Sequence, residues 1–256
     1  MKVVSMINGS LLSESASYYA ISYAQSVNLP FTALFIDNGK ESKERVQKSV
    51  ESLHEIAEAH NVEFEFIELQ GDVIEQLQHF CQLYAVDTLF CATRQDSKLR
   101  SFSENIIKSD IETDIAVVKI KNVAHVKSTG RLMLVSKEQI NPHTFVLWLG
   151  LLKHSDGYGR IYLASEKGFA KATTKSGLKY LAAPFMQLAI MAGISEENIE
   201  VINAIKPMGA EGLQRYVVEN NMDLLVIRSG VYPTRQLADI GDHCSVNSIV
   251  FYPWKG

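Results

Sequence analysis

LQHFCQLYAVDTLF, Leu77 to Phe90, lies without a gap on LQRYVVENNMDLLV, Leu213 to Val226. Leu77, Gln78, Asp87 and Leu89 fall on Leu213, Gln214, Asp223 and Leu225, and Phe80 falls on Tyr216. Each stretch reads as a helix with an apolar stripe that gives way to a short, continuously apolar strand. Helix-then-strand segments share such patterns by chance, so one overlay is modest evidence. The order of the elements around it decides the matter.

Outward from the first stretch, strands and helices alternate. KVVSMI (Lys2 to Ile7) is a strand, and Asn8-Gly9-Ser10 introduces a helix with Ala16, Tyr19, Ala20, Tyr23 and Ala24 at helical spacing. PFTALFID is a buried strand. Lys40 to His60 is a long amphipathic helix with Val46, Val50, Leu53 and Ile56 on one face. VEFEFIEL alternates with period two, as a strand partly open on one side does. Asp72 to Tyr84 is a helix, VDTLFCA a buried strand, Leu99 to Ser109 a helix, and DIAVVKIK a closing strand.

NVAHVKSTG, Asn122 to Gly130, breaks the pattern as a linker, and the alternation then restarts. RLMLVS, the helix INPHTFVLWLGLLKH with Pro142 in its first turn, GRIYLAS, a helix from Ser176 to Met191, IEVINAI, a helix from Gly212 to Asn220, DLLVI and SIVFYP follow. Strands alternating with helices mean a parallel sheet covered on both faces. The chain reads as two α/β domains in tandem, residues 1–122 and 130–256.

Bulk properties narrow the function classes. Of 256 residues, 46% are hydrophobic and 21% charged, the profile of a soluble globular protein. The net charge of −4 gives no support to nucleic-acid binding, which needs a basic face. FVLWLGLL, Phe145 to Leu152, falls far short of the about 20 apolar residues that cross a bilayer, so no membrane partner is expected. MKVVSMINGS reads as a first strand and not as a signal peptide. Cys81, Cys91 and Cys244 sit in apolar contexts, which suits buried thiols in a reducing cytoplasm.

INGSLLSESASYYA, LQGDVIEQLQHFCQLYAVDTLF and TDIAVVKIK, taken in this order and spacing, resemble the universal stress protein family in its tandem two-domain form. The resemblance implies two doubly wound parallel-sheet domains of five strands each, packed as an intramolecular pseudo-dimer through their last strands. It also implies an ATP site at the carboxyl edge of the strands, where such folds place ligands. The ATP-binding subclass has an Asp after the first strand and a G-x2-G-x9-G-[ST] run after the fourth, since backbone must approach phosphate without a Cβ in the way.

This chain departs from that pattern. Asn8 stands at the Asp position, and the glycine positions fall near Ala92, Gln95 and Asn105, beside Asp96 and Glu104, whose charge would repel a triphosphate. There is no glycine between Gly71 and Gly130. In the second half the Asp position falls near Ser136 or Lys137, and RSGVYPTRQLADIGDHCS holds only one early glycine, Gly230, at the wrong spacing. Both halves resemble the subclass without the glycine motif, so no cofactor is expected and ATP is disfavoured.

Asn8, Gly9 and Ser10 are either the remnant of a ribose or phosphate contact or a turn and helix cap, and the cap is preferred. Arg94, Lys98 and Arg100 form a small basic cluster partly cancelled by Asp96. Lys137, Arg228, Arg235 and His243 could converge on the carboxyl edge of the second half as a site for a phosphate or carboxylate. His243 beside Cys244 is not a catalytic arrangement, the histidines lack metal-ligand spacing, and no G-x-S-x-G elbow occurs. No catalytic residue and no metal site are expected. The preferred reading is a non-enzymatic cytoplasmic stress-response protein acting through protein partners or a small anionic ligand, with room for a homodimer. The alternative is a nucleotide-binding or weakly ATP-hydrolysing protein using Lys137, Arg228 and Arg235.

Overall fold

Continuous runs of Val, Ile, Leu and Phe, separated by helices with one apolar stripe, leave the chain two ways to hide apolar surface, and both are used. In the first unit they give β1 (Lys2–Ile7), β2 (Phe31–Asp37), β3 (Phe64–Gln70), β4 (Val86–Thr93) and β5 (Asp114–Lys119). Between the first four run α1 (Leu11–Val27), α2 (Lys43–Ala59) and α3 (Val73–Leu83). The second unit repeats the scheme with β6 (Arg131–Lys137), α4 (Pro142–Lys153), β7 (Tyr158–Ala164), α5 (Lys175–Met191), β8 (Ile199–Ala204), α6 (Ala210–Glu219), β9 (Leu224–Arg228), α7 (Thr234–His243) and β10 (Asn247–Tyr252). This computed structural model describes residues 1–93, 105–106, 109, 111–127, 130–155, 157–164, 175–204 and 206–254.

The units are Met1–Lys127 with Tyr252–Gly256, and Ser128–Phe251. Strand order in the first is β3-β2-β1-β4-β5, and in the second β8-β7-β6-β9-β10, parallel throughout each. The order reverses beside β1 and beside β6, the doubly wound arrangement of an α/β domain.

Burial follows the strand patterns. β2 is buried on both faces up to Asp37, whereas β3, at the edge, alternates half-buried and exposed residues along much of its length. α4 is apolar almost all round because it is enclosed: Phe145, Leu147, Trp148, Leu151 and Leu152 are all buried. Trp148 lies on β7 so closely that a Cβ at Gly159 would come within 2.5 Å of its ring. The FVLWLGLL run is thus core.

Two elements differ from the sequence reading. The linker contains a one-turn helix, Ala124–Lys127, started by the Asn122 side chain accepting the Ala124 N–H at 3.0 Å. α7 grows out of RSGVYPTRQLADIGDHCS, to which the sequence reading assigned no helix. Its Leu237 and Ile240 are buried, and two apolar anchors one turn apart suffice when a core lies beneath. The helix expected over Leu99–Ser109 lies largely outside the described residues.

Candidate functional site

The first candidate site is the turn after β1. Asn8 Oδ1 accepts the Ser10 N–H at 3.1 Å, and the Asn8 N–H reaches Ser13 Oγ at 3.3 Å. Ser10 is the N-cap of α1, its Oγ accepting the Ser13 N–H at 3.2 Å. Gly9 has φ +72°, in the left-handed region, and a Cβ there would meet the backbone of Arg45 and Val46 in α2 at 2.8 Å. The glycine therefore serves the approach of α2 to the turn. Asn8, Gly9 and Ser10 are occupied by each other and by two helices, the geometry of a cap.

At the glycine positions after β4, Ala92 is half-buried and Asn105 is exposed. Arg94, Gln95, Asp96, Lys98, Arg100 and Glu104 lie outside the described residues.

In the second unit, β6 ends in a tighter device. Ser136 Oγ donates to the Gln139 carbonyl at 2.8 Å, Glu138 takes φ +63°, and Asn141 caps α4 by accepting the Thr144 N–H at 2.9 Å. Val135 pairs with Ile227, so the next register level sets Ser136 beside Arg228. Side chains alternate along strands. Val135 and Ile227 face the core beneath α6 and α7, so Arg228 points to the opposite face and Lys137 does not share its side. Lys137 is exposed, as is Arg235 on α7, while His243 lies at the far end of that helix with Nδ1 2.8 Å from the Asp239 carbonyl. The four residues do not gather at one point.

Arg228 is the exception to this dispersal. It is half-buried at the carboxyl end of β9, and its Nε is fully buried without a hydrogen-bond partner among the described residues. A desolvated N–H on a permanent cation is costly unless an acceptor reaches it. On the core face beneath α6 and α7, Tyr232 is buried with its hydroxyl unpartnered among the described residues, and burial followed by the neighbouring Tyr162 and Cys244 pushes its pKa up. The Tyr162 hydroxyl donates to the Lys206 carbonyl at 3.0 Å.

Two clefts were not foreseen. One of about 670 Å³ runs between α6 and α7, lined by Glu211, Arg215, Val218, Glu219, Asp239 and His243 among others. The other, about 370 Å³, lies at the amino edge of the second sheet around Gly130, Arg131, Tyr158 and Asp223. Both depend on how helices and loops pack side by side, for which the sequence holds no periodic signal. Among the described residues no group of three or more His, Cys, Asp or Glu is placed to hold a metal ion, and no helix is long and apolar enough to cross a membrane. No disulfide joins Cys81, Cys91 and Cys244.

No family model matches the sequence, and no curated protein matches it. Solved structures do. A universal stress protein from Archaeoglobus fulgidus superposes with a TM-score of 0.58 at 15% identity, covering 98% of this chain and 96% of that one. A universal stress protein candidate from Pseudomonas aeruginosa superposes with a TM-score of 0.61 at 12% identity, covering 98% and 92%. The cytoplasmic domain of a prokaryotic cation chloride cotransporter gives 0.61 at 10% identity, covering 98% and 94%. Identities this low speak to the fold alone, and they do so over the entire length. The chain has the fold of the tandem universal stress proteins.

Proposed function

We propose that the protein is a non-enzymatic, cytoplasmic member of the universal stress type, with degenerate ATP sites, that acts by binding protein partners or a small anionic ligand. The whole-length fold likeness supports the class. One observation carries the degenerate site: the turn after β1 spends Asn8 and Ser10 on capping α1 and lodges Gly9 against α2. A turn satisfied internally has little left to offer a ribose or a phosphate.

A second reading, nucleotide binding by basic residues of the second unit, is favoured by Arg228, whose buried Nε has no acceptor among the described residues. Phosphate or carboxylate oxygens match a guanidinium fork in geometry and charge.

Thermal-shift titrations with Mg-ATP and with inorganic phosphate separate the readings, alongside mass spectrometry of small molecules released on denaturation. The expected result is no nucleotide released and no saturating shift with Mg-ATP. A ligand present at about 100 times its Kd would stabilise the fold by about 2.7 kcal/mol, well within detection. Saturating stabilisation by Mg-ATP overturns the degenerate-site reading. If that stabilisation disappears in Arg228→Gln, the second reading replaces it.

A further inference from the structure

α6 and α7 pack side by side over the core of the second unit, with Leu213 and Val217 of α6 and Leu237 and Ile240 of α7 buried beneath them. The cleft of about 670 Å³ lies between the outer flanks of the two helices. Its walls are tied together at a fixed spacing. Gln214 Oε1 accepts the N–H of Ser245, just past the end of α7, at 2.9 Å, and Gln214 Nε2 donates to Ser245 Oγ at 3.3 Å.

Two rows of α6 line the cleft. Residues four apart on a helix lie one above the other, drifting by about 40° per step. Ala210, Gln214 and Val218 form the inner row, next to the buried stripe, and Val218 is 56% exposed. Glu211, Arg215 and Glu219 form the row outside it, all exposed, so acid, base and acid stand on successive turns. α7 adds Asp239 and His243, again four apart. The side chains of Glu211, Arg215, Glu219 and Asp239 make no hydrogen bond or ion pair with any described residue. The charges of the cleft are therefore uncommitted, and carboxylates outnumber the guanidinium three to one.

We propose that this cleft docks a helix of a partner protein, one with an aliphatic stripe for Val218 and a base–acid–base row at four-residue spacing for Glu211, Arg215 and Glu219. This rests on the reading that the protein acts through protein partners, and it names the chemistry of the partner. A groove between two packed helices has the shape that a third helix fills, apolar side inward. Glu211 and Glu219 are about 12 Å apart along α6, at about 1.5 Å per residue, and two basic residues eight apart on the partner match that span. A wholly basic helix would set a like charge against Arg215, and an acidic one would meet three carboxylates. Alternating sign suits the whole row, with a further basic residue for Asp239. Exposed pairs of this kind select the partner and its orientation more than they hold it, as flanking charges do in coiled coils.

Fluorescence anisotropy with three labelled, side-chain-stapled helical peptides tests this. All carry a leucine stripe; their rows read Lys-Glu-Lys, Glu-Lys-Glu, and Lys-Lys-Glu, the last with the net charge of the first in the wrong order. Lys-Glu-Lys should bind about tenfold or more tightly than Glu-Lys-Glu and several-fold more tightly than Lys-Lys-Glu, since like charges set opposite each other are costly. Hydrogen exchange should slow in α6 and α7 on binding. Glu211→Lys combined with Glu219→Lys, both at exposed positions, should reverse the preference toward Glu-Lys-Glu. Equal binding of Lys-Glu-Lys and Lys-Lys-Glu overturns the proposal, as does protection away from α6 and α7, or an unreversed preference in the folded double variant. Protection of α6 and α7 that rises with the concentration of the chain alone gives the cleft to a second copy and overturns it too. Should the double variant fail to fold, the peptide order and the exchange pattern of the wild-type chain decide. A saturating shift with Mg-ATP overturns the underlying reading, whereas loss of discrimination among the peptides removes only the cleft.

Discussion

A Cβ at Gly9 would be wrong twice, once for its left-handed φ and once for the 2.8 Å approach to the α2 backbone. Gly9→Ala should destabilise the first unit by roughly 2–4 kcal/mol, the left-handed and overpacking penalties together, as measured by urea unfolding. His60 offers a pH test. It stacks edge-on with Tyr18, its Nδ1 is 2.6 Å from Gln25 Oε1, and burial lowers its pKa. The unfolded chain therefore takes up this proton first as pH falls. Its contribution to stability is complete above the ordinary histidine value of about 6.5 and declines as pH drops from there toward the lowered folded value. Between pH 7 and 5.5, His60→Gln should lose less stability than the wild type in parallel denaturation curves. Gly9 was visible in the sequence as part of a turn. Its actual partner, the start of α2, was not, because close approach between segments more than 30 residues apart leaves no local pattern.

At the scale of elements, the overlay of Leu77–Phe90 on Leu213–Val226 located matching helices and strands, yet its shared aspartates do different work. Asp223 Oδ2 accepts the N–H groups of Gly130 and Arg131 at 2.9 and 2.8 Å, fastening the start of β6 to β9. Asp87 Oδ2 accepts the hydroxyl of Tyr23 at 3.0 Å, holding α1 to β4, and burial followed by this carboxylate raises the tyrosine's pKa. Asp87→Ala should cost about 1–3 kcal/mol by leaving the buried hydroxyl unsatisfied. Adding Tyr23→Phe should return part of that loss, a coupling readable in a double-mutant cycle of denaturation free energies. Strand and helix periods were legible because each rests on burial repeated along a few residues. α7 was missed because Leu237 and Ile240 are too few to set a period. The dispersal of Lys137, Arg228, Arg235 and His243 was hidden too, since sequence order near a strand end does not say which face each side chain takes.

At the scale of the molecule, one plan is written twice and finished differently each time. The turn after the first strand is closed by Asn8 and Ser10 in one unit and by Ser136 and Asn141 in the other. The strand order is the same in both, fixed by burial of the sheet faces, which many sequences satisfy. Loops and edges carry no such constraint, and the likeness to solved structures at 10–15% identity has the same origin.

The first unit also recruits Tyr252–Gly256: Tyr252 packs on its core, and the Trp254 N–H donates to Asp114 Oδ1 at 2.7 Å. On the ribosome this matters for timing. The stretch between Lys127 and Tyr252 takes roughly 6–25 s to synthesise at about 5–20 residues per second. For that interval the nascent first unit must wait for Tyr252 and Trp254, which close it.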